Sequence, residues 1–262
     1  VAESGNHDRI VVNPDADGAS ERDVRYASAF FDLQFEFAER VSLLSRLALP
    51  RTLLEYTNLY IRFGLGRDFD PAHPGWQEFL AGLRETDDGR AWTYRFFLTR
   101  PPAPPPPGLV ATSGCFAYAR LGDGRTRLHF RNAETDGQSP LAKDRRACRR
   151  AELAVLFAEL RRTVRQPPRV VGASWLYNLR AYRDLFPDSY VATARVIHGR
   201  FRHMPLWGQF LNRHGEVREN IACEFRERLA RQTSTERLDD CFPFQVLAVE
   251  APAPDFYAFY GV

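Results

Sequence analysis

Apolar residues recur at helical spacing from Tyr26 onward. Phe30, Leu33, Phe37, Val41 and Leu44 fall on one face, with Glu36, Glu39 and Arg40 on the other, which predicts an amphipathic helix. Pro50 breaks it, and a second helix with Leu53, Leu54, Tyr60 and Ile61 is expected to stop at Gly64. A turn-rich loop follows, and Pro74, Gly75 and Trp76 introduce a short helix that runs to Leu83. The period then changes from that of a helix to that of a strand. Trp92, Tyr94, Phe96 and Leu98 alternate with Thr93, Arg95 and Thr99, so residues 91–99 are predicted as a strand.

Two further strands are expected at residues 112–121 and 125–132, joined by the turn Gly122-Asp123-Gly124. A long helix at 143–164 carries the stripe Leu153, Leu156, Phe157, Leu160 and Val164, and Pro167 and Pro168 close it. Residues 169–175 and 244–249 read as strands, and 190–197 as another. Helical character is expected at 178–186, 206–214 and 219–230, and an aromatic turn at 256–260. The order predicts an α+β fold: a mixed, mainly antiparallel sheet with packed helices and a helical N-terminal part. Residues 1–24 read as a flexible tail. Residues 25–262 read as one globular domain, with a helical part at 25–90 and a sheet-containing part at 91–262. The proline run at 101–107 reads as a stiff connector, with a proline-recognising partner as the alternative.

The composition supports a packed core, at 44% hydrophobic and 13% aromatic over 262 residues. No apolar run has the length of a membrane helix, and the first residues lack the pattern of a secretion signal. The expectation is therefore a soluble, cytoplasmic protein. Cys115, Cys148, Cys223 and Cys241 are scattered without C-x-x-C spacing, so no disulfide framework or zinc site is expected. The net charge is +3 and Lys143 is the only lysine. Acidic residues are interspersed among the arginines, which argues against a nucleic-acid partner. No phosphate-binding P-loop and no H-E-x-x-H pair occurs, and no metal is predicted.

Four places carry candidate chemistry. His129 and Arg131 share one face at the end of a predicted strand, next to Glu134. His129 is a candidate general base, with Glu134 orienting it or replacing it; the alternative is a polar outer sheet face. Arg145, Arg146, Arg149 and Arg150 crowd the start of the long helix. Cations there oppose the helix dipole, a conflict that a bound phosphate would remove; the alternative is a solvated arginine cluster in an arginine-rich chain. Ser174, between a predicted strand and helix, is arranged in part like a hydrolase nucleophile elbow, with Leu176 in place of the second glycine. The favoured reading of Ser174 is an ordinary helix cap. Trp207 and Phe210, three apart, read as core, with Gln209 and His214 near them.

The segments Ser174-Trp175-Leu176-Tyr177-Asn178, Ala181-Tyr182-Arg183, Leu185-Phe186-Pro187, Leu206-Trp207-Gly208-Gln209-Phe210 and the closing 256–261 resemble a family of bacterial proteins without an assigned activity. That likeness implies a bacterial source. The element order over residues 91–186 also resembles the GNAT acyltransferases: three antiparallel strands, a helix, a strand and a helix. This second resemblance implies coenzyme A or acyl-coenzyme A bound at the start of the long helix by Arg145, Arg146 and Arg149. It also implies N-acylation of a small molecule, with Asn178 and Ala181 in the positions of the family's later Asn and Ala. Where that family has a glycine-rich loop, this chain has Gly137 alone. The expected catalytic set is His129, Glu134, Tyr177 and Asn178, with Tyr182 beside the leaving thiol. The alternatives are a serine hydrolase using Ser174 and a non-catalytic interaction module.

Overall fold

The first apolar stripe becomes helix α1, Ser28–Ser45, and its buried residues include Phe30, Leu33, Phe37 and Val41. The chain is described here by a computed structural model over residues 26–101, 106, 108–212 and 214–262. The expected tail and most of the proline run lie outside these residues.

The second expected helix forms as two, α2 at Leu49–Tyr56 and α3 at Leu59–Arg62. Buried Gln34 explains the break, because its Oε1 accepts from Asn58 N at 2.9 Å between the two helices. Helix α4, Pro74–Arg84, follows with His73 as its cap.

Residues 91–99 do not form a strand. They lie in helix α5, Gly89–Leu98. Asp88 caps it by accepting from Ala91 N at 3.0 Å, and Thr93 Oγ1 donates to Gly89 O at 2.7 Å. Thr93 and Phe96 are fully covered, whereas Leu98 is 57% exposed. The alternation that resembles a strand comes from aromatic side chains on both flanks of a helix. Trp92 and Phe97 pack on one cluster together with Phe96.

The sheet has six strands, β1 Leu109–Ser113, β2 Phe116–Arg120, β3 Thr126–Phe130, β4 Arg169–Ser174, β5 Arg195–Val196 and β6 Leu247–Pro252. Their order is β1-β2-β3-β4-β6-β5. All neighbours are antiparallel except β3 and β4. The expected strand at 112–121 is divided by a turn at Gly114-Cys115, where Gly114 takes φ +52°. The hairpin at Gly122–Gly124 forms as expected, with Leu121 N bonded to Arg125 O at 2.9 Å. Helix α6, Arg146–Thr163, makes the crossover from β3 to β4. Short helices α7, Arg180–Arg183, and α8, Asp188–Val191, follow β4. The strand expected at 190–197 therefore shrinks to the two residues of β5. Residues 204–210 form a 3-10 helix, and α9 spans Glu219–Ala230. The last strand begins three residues later than expected, at Leu247, and the aromatic turn after it is helix α10, Ala253–Tyr260.

One face of the sheet presents Phe116, Tyr118, Leu128, Val170 and Val249 to α6 and α10, forming one core. The N-terminal helices form a second core that is completed from far along the chain. Phe37 packs against Trp207, Phe225 and Phe242, with ring centroids 5.3–5.7 Å apart. Among the described residues no helix is long and apolar enough to cross a membrane.

Gly172 shows how tightly the first core is built. A Cβ added there would lie 2.1 Å from Tyr177 Oη and 2.4 Å from Tyr190 Oη. Both rings are fully buried and their hydroxyls meet at 3.0 Å, so neither can retreat. Gly172→Ala is expected to cost about 1–3 kcal/mol by overpacking, read as a lower urea midpoint at unchanged slope.

Candidate functional site

The parallel pair β3 and β4 is hydrogen-bonded only at its beginning, at Thr126↔Val170 and Arg127↔Val171. Past that point Leu128–Phe130 stays with β2, and Gly172–Ser174 stays with β6. The sheet thus divides into two halves, and the wedge between them opens toward the carboxyl ends of both strands. Backbone groups on the facing edges have no partner strand there. In sheets with parallel strands, this end, where neighbouring connections diverge, is where ligands bind.

His129 lies on the β3 side of the wedge, on the sheet face opposite the α6 core. Ala117 of β2 is its cross-strand neighbour, and Arg127 and Val171 share its face. Ala173, on that face of central strand β4, is exposed, whereas Ala117 and Val171 are buried, so the face is open to solvent at Ala173 and covered nearer β2. His129 Nε2 is buried and has no hydrogen-bond partner among the described residues. Burial first, then the cations Arg67 and Arg127, push its imidazole down to about 4. It is therefore neutral at physiological pH, with a ring nitrogen left unused.

Glu134 is placed differently. Its Oε1 lies 2.6 Å from Arg149 Nη2 and its Oε2 lies 3.2 Å from Arg145 Nη1. Arg149 is only 3% exposed and also meets Glu152 Oε1 at 2.8 Å. Its other terminal nitrogen contacts Cys115 Sγ, and Glu152 Oε2 accepts from Cys115 N at 3.0 Å. Burial pushes the Cys115 thiol up. Arg145 is further paired with Asp136. The loop after β3 thus supplies the negative charge that the cationic start of α6 demands, so Arg145 and Arg149 are committed to the protein's own carboxylates. Arg146 alone of the three expected anion-binding arginines faces outward, over a groove shared with α7.

Tyr177 and Tyr182 lie in the core with Tyr190, and burial raises all three phenols well above their usual range. Asn178 spends its amide nitrogen on two backbone carbonyls, Trp175 O at 2.7 Å and Gln245 O at 2.8 Å. It pins the end of β4 to the segment entering β6. Ala181 is exposed on α7. Ser174 Oγ accepts from Leu176 N at 3.1 Å and caps the 3-10 turn Trp175–Asn178. Of the expected catalytic set, only His129 borders the wedge with a free polar atom.

Two features escape sequence inspection. His203 Nε2 lies 2.6 Å from Asp239 Oδ1, with Arg202 on the same carboxylate at 3.0 Å. This trio sits in the second core, where His203 stacks on Tyr56 and Phe242. Arg180 and Arg183 join Arg146 and Arg150 around the groove. Their spacings, i to i+3 and i to i+4, are the signal available in the sequence. Among the described residues, no group of three or more His, Cys, Asp or Glu side chains is placed to hold a metal ion.

Set against known proteins, the chain matches no family model, no curated protein and no solved structure.

Proposed function

We propose that this protein transfers an acyl group from a thioester carrier of the coenzyme A class to a small-molecule amine. The wedge between β3 and β4 carries the reading. Its unpaired strand edges offer backbone donors and acceptors to an extended ligand that contains amides, the way an added strand docks on a sheet. The carrier would supply the activated acyl group. His129, neutral and unpartnered beside the wedge, accepts the proton that the amine nitrogen sheds as it bonds to the acyl carbon; the acyl C–S bond then breaks, and the carrier leaves as a thiol that takes up that proton. Exposed Ala173 leaves room for the amine on the β4 side of that face. Glu134 then serves the scaffold through Arg145 and Arg149, and Asn178 and Tyr177 hold β4 from behind.

The direct test is thiol release from acetyl-coenzyme A and longer acyl thioesters, followed colorimetrically with a panel of primary amines and polyamines. Amine-dependent release by the wild-type chain is the expected result. Release at the blank rate across all acyl chains and amines would refute the reading.

A further inference from the structure

We infer that the groove between α6 and α7 is a binding site for a small molecule carrying two or more phosphate charges. It is an open groove of about 540 Å³, within the size range of small-ligand sites. Arg146 and Arg150 line it from the first turns of α6, and Arg180 and Arg183 from α7. Asp184 and Asp188 are the carboxylates in its lining. Four cations therefore face two anions.

The pairing within the groove is loose. Asp184 Oδ2 is shared by Arg146 at 3.6 Å and Arg180 at 3.8 Å, both longer than a hydrogen bond, and Arg146 Nη2 donates to the uncharged Asp184 O at 3.3 Å, which holds the side chain without matching its charge. Arg183 is exposed, with no ion-pair partner among the described residues. Arg150 lies over the Phe259 ring at 4.5 Å, which fixes its position without neutralising its charge.

This contrasts with the neighbouring arginines. Arg145 and Arg149, each one position before a groove arginine, are neutralised by Glu134, Asp136 and Glu152. The same stretch of helix thus has one satisfied cationic flank and one with excess charge. Like charges held three and four residues apart repel, at a cost that a bound anion removes. Guanidinium forks match phosphate oxygens in pairs, and the N-terminus of α6 adds its dipole in the same direction. The groove also lies at the carboxyl ends of β3 and β4, because α6 and α7 both start after those ends. The inference needs only phosphate chemistry, so it stands apart from the acyl-transfer reading.

The test is calorimetric titration of the full chain at low ionic strength with ADP, inorganic pyrophosphate and coenzyme A. The variants are Arg180→Ala/Arg183→Ala, both exposed, and Arg231→Ala, just past the end of remote α9, as a control. We expect saturable binding of at least one probe, weakened about tenfold or more in the double variant and unchanged in Arg231→Ala, with equal melting temperatures. The inference is overturned if no probe binds saturably or if the double variant binds as the wild type does. Arginine-dependent ADP binding without thiol release would keep this site and remove the acyl-transfer reading. Thiol release indifferent to the double variant, with no ADP binding, would do the reverse.

Discussion

Arg149→Leu is expected to lower the stability of the fold by about 3–5 kcal/mol, the range for breaking a buried ion pair from one side. The side chain is only 3% exposed, and it holds Glu134 and Glu152 at 2.6 and 2.8 Å. Removing it leaves Glu152, with 13% of its side chain exposed, without a counter-charge, beside Glu134, which keeps only Arg145 at 3.2 Å. The damage spreads to the β1–β2 turn, because Glu152 also accepts from Cys115 N. A chain of this size loses roughly 2–4 °C of melting temperature per kcal/mol, so a drop of roughly 10 °C is expected. The companion variant Arg149→Leu/Glu152→Gln should recover part of the loss, since it removes one stranded charge and keeps the acceptor for Cys115 N. A double-mutant cycle reads that coupling directly. A single-variant loss below about 1 kcal/mol, as at a solvated surface pair, would show that the cluster does not hold the loop after β3 in place.

That cluster also shows which parts of the site were legible in the sequence. The run of arginines at the start of α6 calls for an anion, and this follows from the helix dipole alone. Which anion answers depends on the path of residues 131–145, which no periodicity encodes. Glu134 and Asp136 fold back onto Arg145 and Arg149, while Arg146 turns the other way toward α7. The sheet-and-helix order from Gly122 through α6 to β4 was readable because Gly122-Asp123-Gly124 and the Leu153–Leu160 stripe are local signals. The segment at 91–99 was misleading for the same reason: its alternation is real, but the Asp88 cap and the burial of Thr93 and Phe96 decide in favour of a helix. The wedge itself was invisible. It is a property of how far two strands stay paired, and β3 and β4 have ordinary strand compositions throughout. Tyr177 and Asn178 drew attention as polar groups near a strand end. Their partners, Tyr190 and the carbonyl of Gln245, lie 13 and 67 residues away, so their structural roles emerge only from tertiary contacts.

His129→Ala is expected to lower kcat for acyl transfer by about 10²–10⁴-fold, the usual range for losing a general base. The KM for the carrier should change little, because the strand edges that would hold it are backbone. The same variant carries a second readout that a merely structural histidine in a solvated place would not give. In the folded chain the imidazole is pushed down to about 4 by burial and by Arg67 and Arg127, against about 6.5 when unfolded. Between those values the unfolded chain binds the extra proton, so acid favours unfolding. The penalty is absent above about pH 6.5, grows as the pH falls, and levels off below about pH 4 at about 3 kcal/mol. His203 is also lowered by burial and adds to the loss in the same direction. Urea unfolding of wild type and His129→Ala from pH 7 to pH 4 should therefore converge as the pH drops. Catalysis in the wild type should stay flat from pH 7 down to about 5, because the base titrates below that range. A wild-type rate that instead falls with a midpoint near 6.5 would place the essential proton acceptor on an ordinary solvated histidine, and His129 would then be a wall of the wedge and not its base.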